Sequence, residues 1–237
     1  MPRRRRKPRE FAACYDCGVR ALVTGGTGRV GSAIAGRLED EGGTVVAAGR
    51  AQGDVADPAQ ARSLVEHAVE ELGGLDLLVN AAGEGFAAHA VEELTEADWD
   101  AAFGATAKGS FFVTQAAAPH LRASRGCVVM IEDVAAYQPW PSFAAHCAAK
   151  AAQAMLTRVL ARALAPEVRV CGVAPGPVAV EPGQEERRAA ETLLGRTGSP
   201  EDVAGAVTYL AKANFVTGTS LVVDGGRLLQ SMRPGTP

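Results

Sequence analysis

The sequence predicts a doubly wound α/β fold: a parallel sheet of six or seven strands with helices on both faces. Three observations carry this. Short aliphatic and β-branched runs recur along the chain, segments with helical start signals separate them, and a glycine-rich turn joins the first run to the first helix. Strand alternating with helix implies parallel pairing and right-handed crossovers. The runs are nearly continuously apolar, as strands covered on both faces should be.

In order, Val19 to Val23 is the first strand, and Ser32 to Glu39 has helical periodicity. Thr44 to Ala48 is the second strand. Between Arg50 and Asp54 there is no room for a full crossover helix, so the third strand is expected as a stub near Gly53-Asp54-Val55. Asp57-Pro58-Ala59-Gln60 places a capping Asp before a first-turn Pro, and Ser199-Pro200-Glu201-Asp202 repeats the device. Thr95 with Asp98 opens another helix. Leu75 to Val79, Cys127 to Ile131, Val168 to Val173 and Leu221 to Val223 complete the strands.

The chain has 237 residues, 47% apolar and 22% charged, which suits one packed core. Residues 18–237 are read as a single domain. Residues 1–17, with Arg3-Arg4-Arg5-Arg6-Lys7 and Arg9 between prolines, are read as a basic, disordered tail. A net charge of −3 gives no broad footprint for nucleic acid or anionic membrane, so a small-molecule substrate is expected. No apolar stretch approaches the ~20 residues that span a bilayer, and no hydrophobic segment follows the basic run, which points to the cytoplasm. The five cysteines lack framework spacing and are read as reduced thiols. Cys14 and Cys17 form a C-x-x-C without a second pair, so no metal is expected.

Thr24-Gly25-Gly26-Thr27-Gly28-Arg29-Val30-Gly31 sits where the first strand meets the first helix. Glycines there let the backbone turn sharply and approach a pyrophosphate, which the helix N-terminus then holds. This is the Rossmann-like arrangement for a dinucleotide. The second strand ends in Ala48-Gly49-Arg50, without the carboxylate that would bind both ribose hydroxyls of NAD. Arg50, with Arg29, can pair with a 2′-phosphate, which favours NADP(H) over NAD(H).

From Val19 to Gly226 the chain resembles the short-chain dehydrogenase/reductase family. Asp54-Val55 looks like its adenine-contacting pair, and Asn80-Ala81-Ala82-Gly83 matches its N-A-G turn. Pro175-Gly176-Pro177-Val178 resembles its nicotinamide-side loop, while Arg196 to Ala204 and Asp224-Gly225-Gly226 resemble its C-terminal signatures. The resemblance implies that Gly25, Thr27, Arg29, Val30, Gly31, Arg50, Asp54, Val55, Asn80, Ala81, Gly83, Lys150, Pro175, Gly176 and Val178 serve the cofactor. It also implies a homotetramer or homodimer.

The catalytic positions depart from the family, whose members use a Tyr, a Lys four residues on, a Ser thirteen before the Tyr, and an Asn on the preceding helix. Lys150 is kept. His146 stands in the Tyr place, Asp133 in the Ser place and Thr106 in the Asn place, with Val180 where a Thr often touches the carboxamide. Pteridine reductases offer a partial parallel, with an Arg in the glycine turn and an Asp in the Ser place, but they keep the Tyr. A neutral imidazole is too weak an acid near pH 7, so His146 must be imidazolium to donate a proton. Lys150, one helical turn away, opposes that charge, and Asp133 supports it if the fold brings the two together.

The favoured expectation is an NADPH-dependent reductase of an unsaturated C=O, C=N or C=C group, with His146 as proton donor. The alternatives are a non-redox cyclase, isomerase or dehydratase using the His146/Asp133 pair, and a dinucleotide-binding protein without activity. His67, His89 and His120 are read as solvated, and the charged loop from Glu181 to Leu194 as the lid. Trp140 with its flanking prolines is read either as an apolar or aromatic wall near the site or as core packing.

Overall fold

The computed structural model describes residues 18–83 and 87–230. The basic tail, Cys14 and Cys17 lie outside the described residues. In chain order the elements are β1 (Arg20–Thr24), α1 (Arg29–Asp40), β2 (Thr44–Ala48), α2 (Pro58–Leu72), β3 (Leu77–Asn80), α3 (Glu96–Phe103), α4 (Gly109–Ser124), β4 (Cys127–Ile131) and α5 (Ala144–Leu164). They continue with β5 (Arg169–Pro175), α6 (Glu185–Ala190), α7 (Pro200–Lys212), β6 (Ser220–Val223) and α8 (Arg227–Gln230). The six strands form one sheet in the order β2-β1-β3-β4-β5-β6, with every pairing parallel.

Side chains alternate across the sheet with the period of two that a strand imposes. Leu22, Leu78 and Val128 enter one core with Leu64 and Val65 of α2, Leu121 of α4 and Leu160 of α5. Their neighbours Val23, Val79 and Val129 enter the other with Ile34 and Leu38 of α1 and Val207 and Leu210 of α7. The two layers of helix are thus written in the strands themselves. Arg169 of β5 is buried and secures α7 from below: its guanidinium donates to the carbonyl of Leu210 at 2.8 Å and to that of Ala211. Orphan carbonyls at the helix end are satisfied in this way.

Two expectations need correction. No strand forms at Gly53-Asp54-Val55; a single turn of 3₁₀ helix at Arg50–Gln52 leads directly to α2. Only nine residues separate Ala48 from Pro58, fewer than the dozen or so that a parallel crossover requires. Local bonds close the segment instead: Gly49 N–H donates to Gln52 Oε1 and Asp54 N–H to Gln60 Oε1. Consequently β2 is the sheet edge and is only partly covered, as is β6 at the opposite edge, so burial on both faces holds for the four inner strands alone. The third feature of note is a five-residue π-helical stretch, Gly104–Lys108, that joins α3 to α4. Such stretches concentrate at functional sites. Among the described residues no helix is long and apolar enough to cross a membrane.

The helix starts follow the sequence. Asp57 accepts from the Ala59 and Gln60 N–H groups, and Thr95 with Asp98 and Ser199 with Asp202 form reciprocal capping boxes. Replacing Ser199 with Ala removes the hydroxyl that accepts from Asp202 N–H and is expected to cost about 1 kcal/mol in urea unfolding, with an unchanged m-value.

Candidate active site

Strand order reverses between β1 and β3, and the crevice at their C-terminal ends is where open α/β sheets bind ligands. The chain leaves β1 through Gly25 to Gly28 and enters α1 at Arg29. Beside this turn lies a cavity of about 280 Å³. Gly25, Thr27, Arg50, Asp54, Val55, Ala81 and Gly83 line it, so seven of the proposed cofactor residues share one cleft. A Cβ on Gly25 would lie 2.6 Å from the Ala81 carbonyl oxygen, and one on Gly31 would lie 2.2 Å from that of Gly25. Only glycine permits the turn to fold this tightly against its neighbours. Neither a side-chain cap nor a first-turn carboxylate occupies the α1 N-terminus, which fits an anion such as a pyrophosphate.

The remaining cofactor candidates lie around the cleft. Asn80 is buried behind it and donates to Thr114 Oγ1 at 3.0 Å, tying β3 to α4. Val30 packs on the α1/α7 core, and Gly31 supports the turn. Pro175 ends the inner strand β5, Gly176 N–H donates to the Val223 carbonyl of the edge strand β6, and Val178 bridges to Gly198 beside a separate surface cavity. Arg29 is directed elsewhere than Arg50. Its guanidinium pairs with Glu181 at 2.5 Å and donates to the Val180 carbonyl, tying the glycine turn to the loop expected to be the lid. Of the two arginines, Arg50 alone lines the cleft.

At the end of β4 the structure joins three of the four catalytic candidates. Asp133 caps a short turn, its Oδ1 accepting from Ala135 N–H at 2.7 Å. Its other oxygen, Oδ2, lies 3.4 Å from His146 Nε2. The carboxylate is thus fixed by backbone and aimed at the imidazole. Lys150 follows one helical turn later on α5, is buried, and donates to the Ile131 carbonyl at 2.8 Å and to Gln153 Oε1 at 3.2 Å. Burial pushes the Lys150 ammonium below its ordinary pKa, while Asp133 and Glu132 pull it back up. Thr106, buried on the π-helical stretch, does not join this cluster directly; with His146 it lines a second cavity.

Several residues here escaped the sequence reading. Glu132 is buried, accepts from Thr157 Oγ1 at 2.6 Å and from the Tyr137 hydroxyl at 3.3 Å, and lies so close to β5 that a Cβ on Gly172 would be 2.0 Å from its Oε1. Gln153 links Lys150 to Ser110 of α4. Both carried a legible signal, a polar side chain in an otherwise apolar strand end or helix face. Arg227 lies over the Trp140 ring at 5.0 Å and pairs with Glu191, so the wall beside the site is part cationic. His89 also needs correction: it is half-buried and lines the same second cavity as His146. His67 is exposed as expected. Cys147 points toward the carbonyls of Gln138 and Trp140.

A parallel sheet with this crevice, glycine turn and Asp-His-Lys cluster defines a Rossmann-type protein built around a dinucleotide cleft. Residues 13–227 match the family model described as Enoyl-(Acyl carrier protein) reductase. The chain is 37% identical over 235 residues to the granaticin polyketide synthase putative ketoacyl reductase 2 of Streptomyces violaceoruber, covering 87% of this chain and 94% of that one. Among solved structures, an SCOR enzyme from Clostridium thermocellum superposes with a TM-score of 0.84 at 27% identity, over 92% of this chain and 96% of the other. The 3-ketoacyl-(acyl-carrier-protein) reductase of Brucella melitensis, complexed with NADH, gives 0.83 at 26% identity, over 88% and 97%. The chain belongs to the short-chain dehydrogenase/reductase family, a family of oxidoreductases that bind a nicotinamide dinucleotide.

The Arg29–Glu181 pair is exposed on both sides, and such pairs contribute little, about 0–1 kcal/mol. Glu181→Gln is expected to release Arg29 for a 2′-phosphate and tighten NADPH binding about threefold in a fluorescence titration. An unchanged Kd would place Arg29 outside the cofactor contacts.

Proposed function

We propose that this chain is an NADPH-dependent reductase acting on a C=O, C=N or C=C bond of a small molecule, with His146 as the proton donor. The observation that carries the reading is the 3.4 Å approach of Asp133 Oδ2 to His146 Nε2, with Lys150 one turn away. Arg50 in the lining of the cleft, where β2 ends without the carboxylate that would bind both ribose hydroxyls of NAD, supports NADP(H) over NAD(H). Bound NADPH would supply the hydride. Gly25, Thr27 and the α1 N-terminus would hold its phosphates, and Asp54 with Val55 its adenine.

The protein's own part is proton delivery. His146 as imidazolium gives its proton to the atom that gains negative charge as the double bond is reduced. Asp133, held by the Ala135 N–H, orients the ring and stabilises its charge. Lys150, which would reach the nicotinamide ribose by leaving the Ile131 carbonyl, keeps a positive potential beside the reacting atoms. The ketoacyl reductases among the relatives make a β-keto thioester the first substrate to offer.

Met155 and Val159 on α5, and Tyr209 and Phe215 beyond the other core, are large exposed apolar side chains. They are the surfaces on which we place self-association into a dimer or tetramer. Light scattering is expected to give two or four times the chain mass, and a monomer would refute this part.

His146→Ala is expected to lower kcat for NADPH oxidation with a β-keto thioester about 10²- to 10⁴-fold while leaving NADPH affinity within about twofold. Unchanged turnover would remove His146 from the mechanism. Product formation without NADPH consumption would favour the non-redox use of the His146/Asp133 pair.

A further inference from the structure

A proton donor must be reloaded after every turnover, and His146 also borders a second cavity whose lining includes neither Asp133 nor Lys150. It measures about 120 Å³ and is lined by His146, Thr106, Ser142, His89, Asp98 and Ala102, among others. That is ample for water, which needs only about 10–15 Å³ of such space. Its polar lining is concentrated in groups that exchange or carry protons: two imidazoles, two hydroxyls and a carboxylate. It holds the outer of two His–carboxylate pairs, for His89 Nε2 lies 3.9 Å from Asp98 Oδ1 just as His146 faces Asp133 on the inner side.

The outer pair is built in rather than adventitious. His89 N–H donates to the Ser142 carbonyl at 2.9 Å, fixing its loop to the turn that precedes α5 and His146. Asp98 Oδ2 accepts from the Thr95 hydroxyl and N–H at the start of α3. Those bonds hold the Asp98 carboxyl below the ordinary aspartate range, so it stays an acceptor near neutrality. The His89 side chain is 30% exposed and that of His146 only 9%, so His89 is the more open of the two to solvent.

We propose that this cavity is the route by which His146 is reprotonated, with His89, backed by Asp98, as the station that takes protons from solvent. It rests on the reading of His146 as proton donor. The balance is simple: His146 gives one proton to the reduced substrate and, as neutral imidazole, takes one from cavity water. That water takes one from His89, and His89 takes one from bulk. Only N–H and O–H bonds are exchanged, and no electrons move. His89 acts through His146 and is a positioning and relay residue, not one that touches substrate. Asp133, whose Oδ2 lies 3.4 Å from His146 Nε2, and Lys150, one helical turn further along α5, lie outside that lining.

The test uses His89→Ala, which removes the imidazole and keeps the backbone bond to Ser142, and Ala102→Phe, which fills the cavity from α3 without replacing any titratable group. With NADPH and a β-keto thioester, both variants are expected to lower kcat at least about tenfold with KM little changed. Added imidazole is expected to restore His89→Ala and not Ala102→Phe, a split that loss of structure would not produce. A kcat within about twofold of the parent in either variant, or a loss in His89→Ala that imidazole does not relieve, overturns the relay. A second readout needs no substrate: in ¹⁵N-histidine NMR, exchange of the His146 ring proton with water is expected to slow severalfold in Ala102→Phe, and an unchanged rate overturns the route. Slowed exchange in Ala102→Phe, together with a parent protein that never oxidises NADPH, would defeat the reductase reading while leaving the proton route standing.

Discussion

A buried ammonium at the end of β4 is the constraint around which the site is arranged. Taking a lysine charge out of water costs several kcal/mol unless partners meet it. Lys150 is met by the Ile131 carbonyl and Gln153 Oε1 directly and by the fields of Glu132 and Asp133. Those partners impose the next layer. Glu132 is itself buried and needs the hydroxyls of Thr157 and Tyr137, and it leaves space for only glycine at 172 on the adjacent strand. Gln153 in turn engages Ser110 on α4. One charge thus links β4, β5, α4 and α5 into a single polar network beneath the crevice.

That network changes what the imidazole at 146 can do. Two cations one helical turn apart would repel, and Asp133 alone would have to serve both. Glu132 supplies a second negative charge on the Lys150 side, which leaves the Asp133 oxygen aimed at His146 available to the ring. The pair is further defined by the turn at Ala135, since a carboxylate with one oxygen bound to backbone has little freedom to rotate away. Orientation by a fixed second group is what makes a histidine useful in proton transfer.

The short connection after β2 shapes the other half of the molecule. With nine residues in place of a crossover, Arg50 and Asp54 are brought to the same cleft by one 3₁₀ turn, and β2 is left as an edge. Edge strands are managed with polar or irregular surroundings. Here β2 starts at an exposed Thr44 and ends in Ala48 at the mouth of the cavity. The cleft and the open edge therefore have one cause.

By itself, the sequence determined the α/β class, the position of the four inner strands, the capped starts of α2, α3 and α7, and the identity of the residues at the glycine turn and at 133, 146 and 150. These were legible because each is local: hydrophobic period, cap chemistry and motif spacing act over a few residues. Tertiary structure alone decided that Arg29 pairs with Glu181, 152 residues away, rather than joining Arg50. It also decided that His89 borders His146 and that Glu132 is buried against Thr157 and Gly172. Each of these depends on how far two helices or strands approach after packing, a distance that no window of sequence contains.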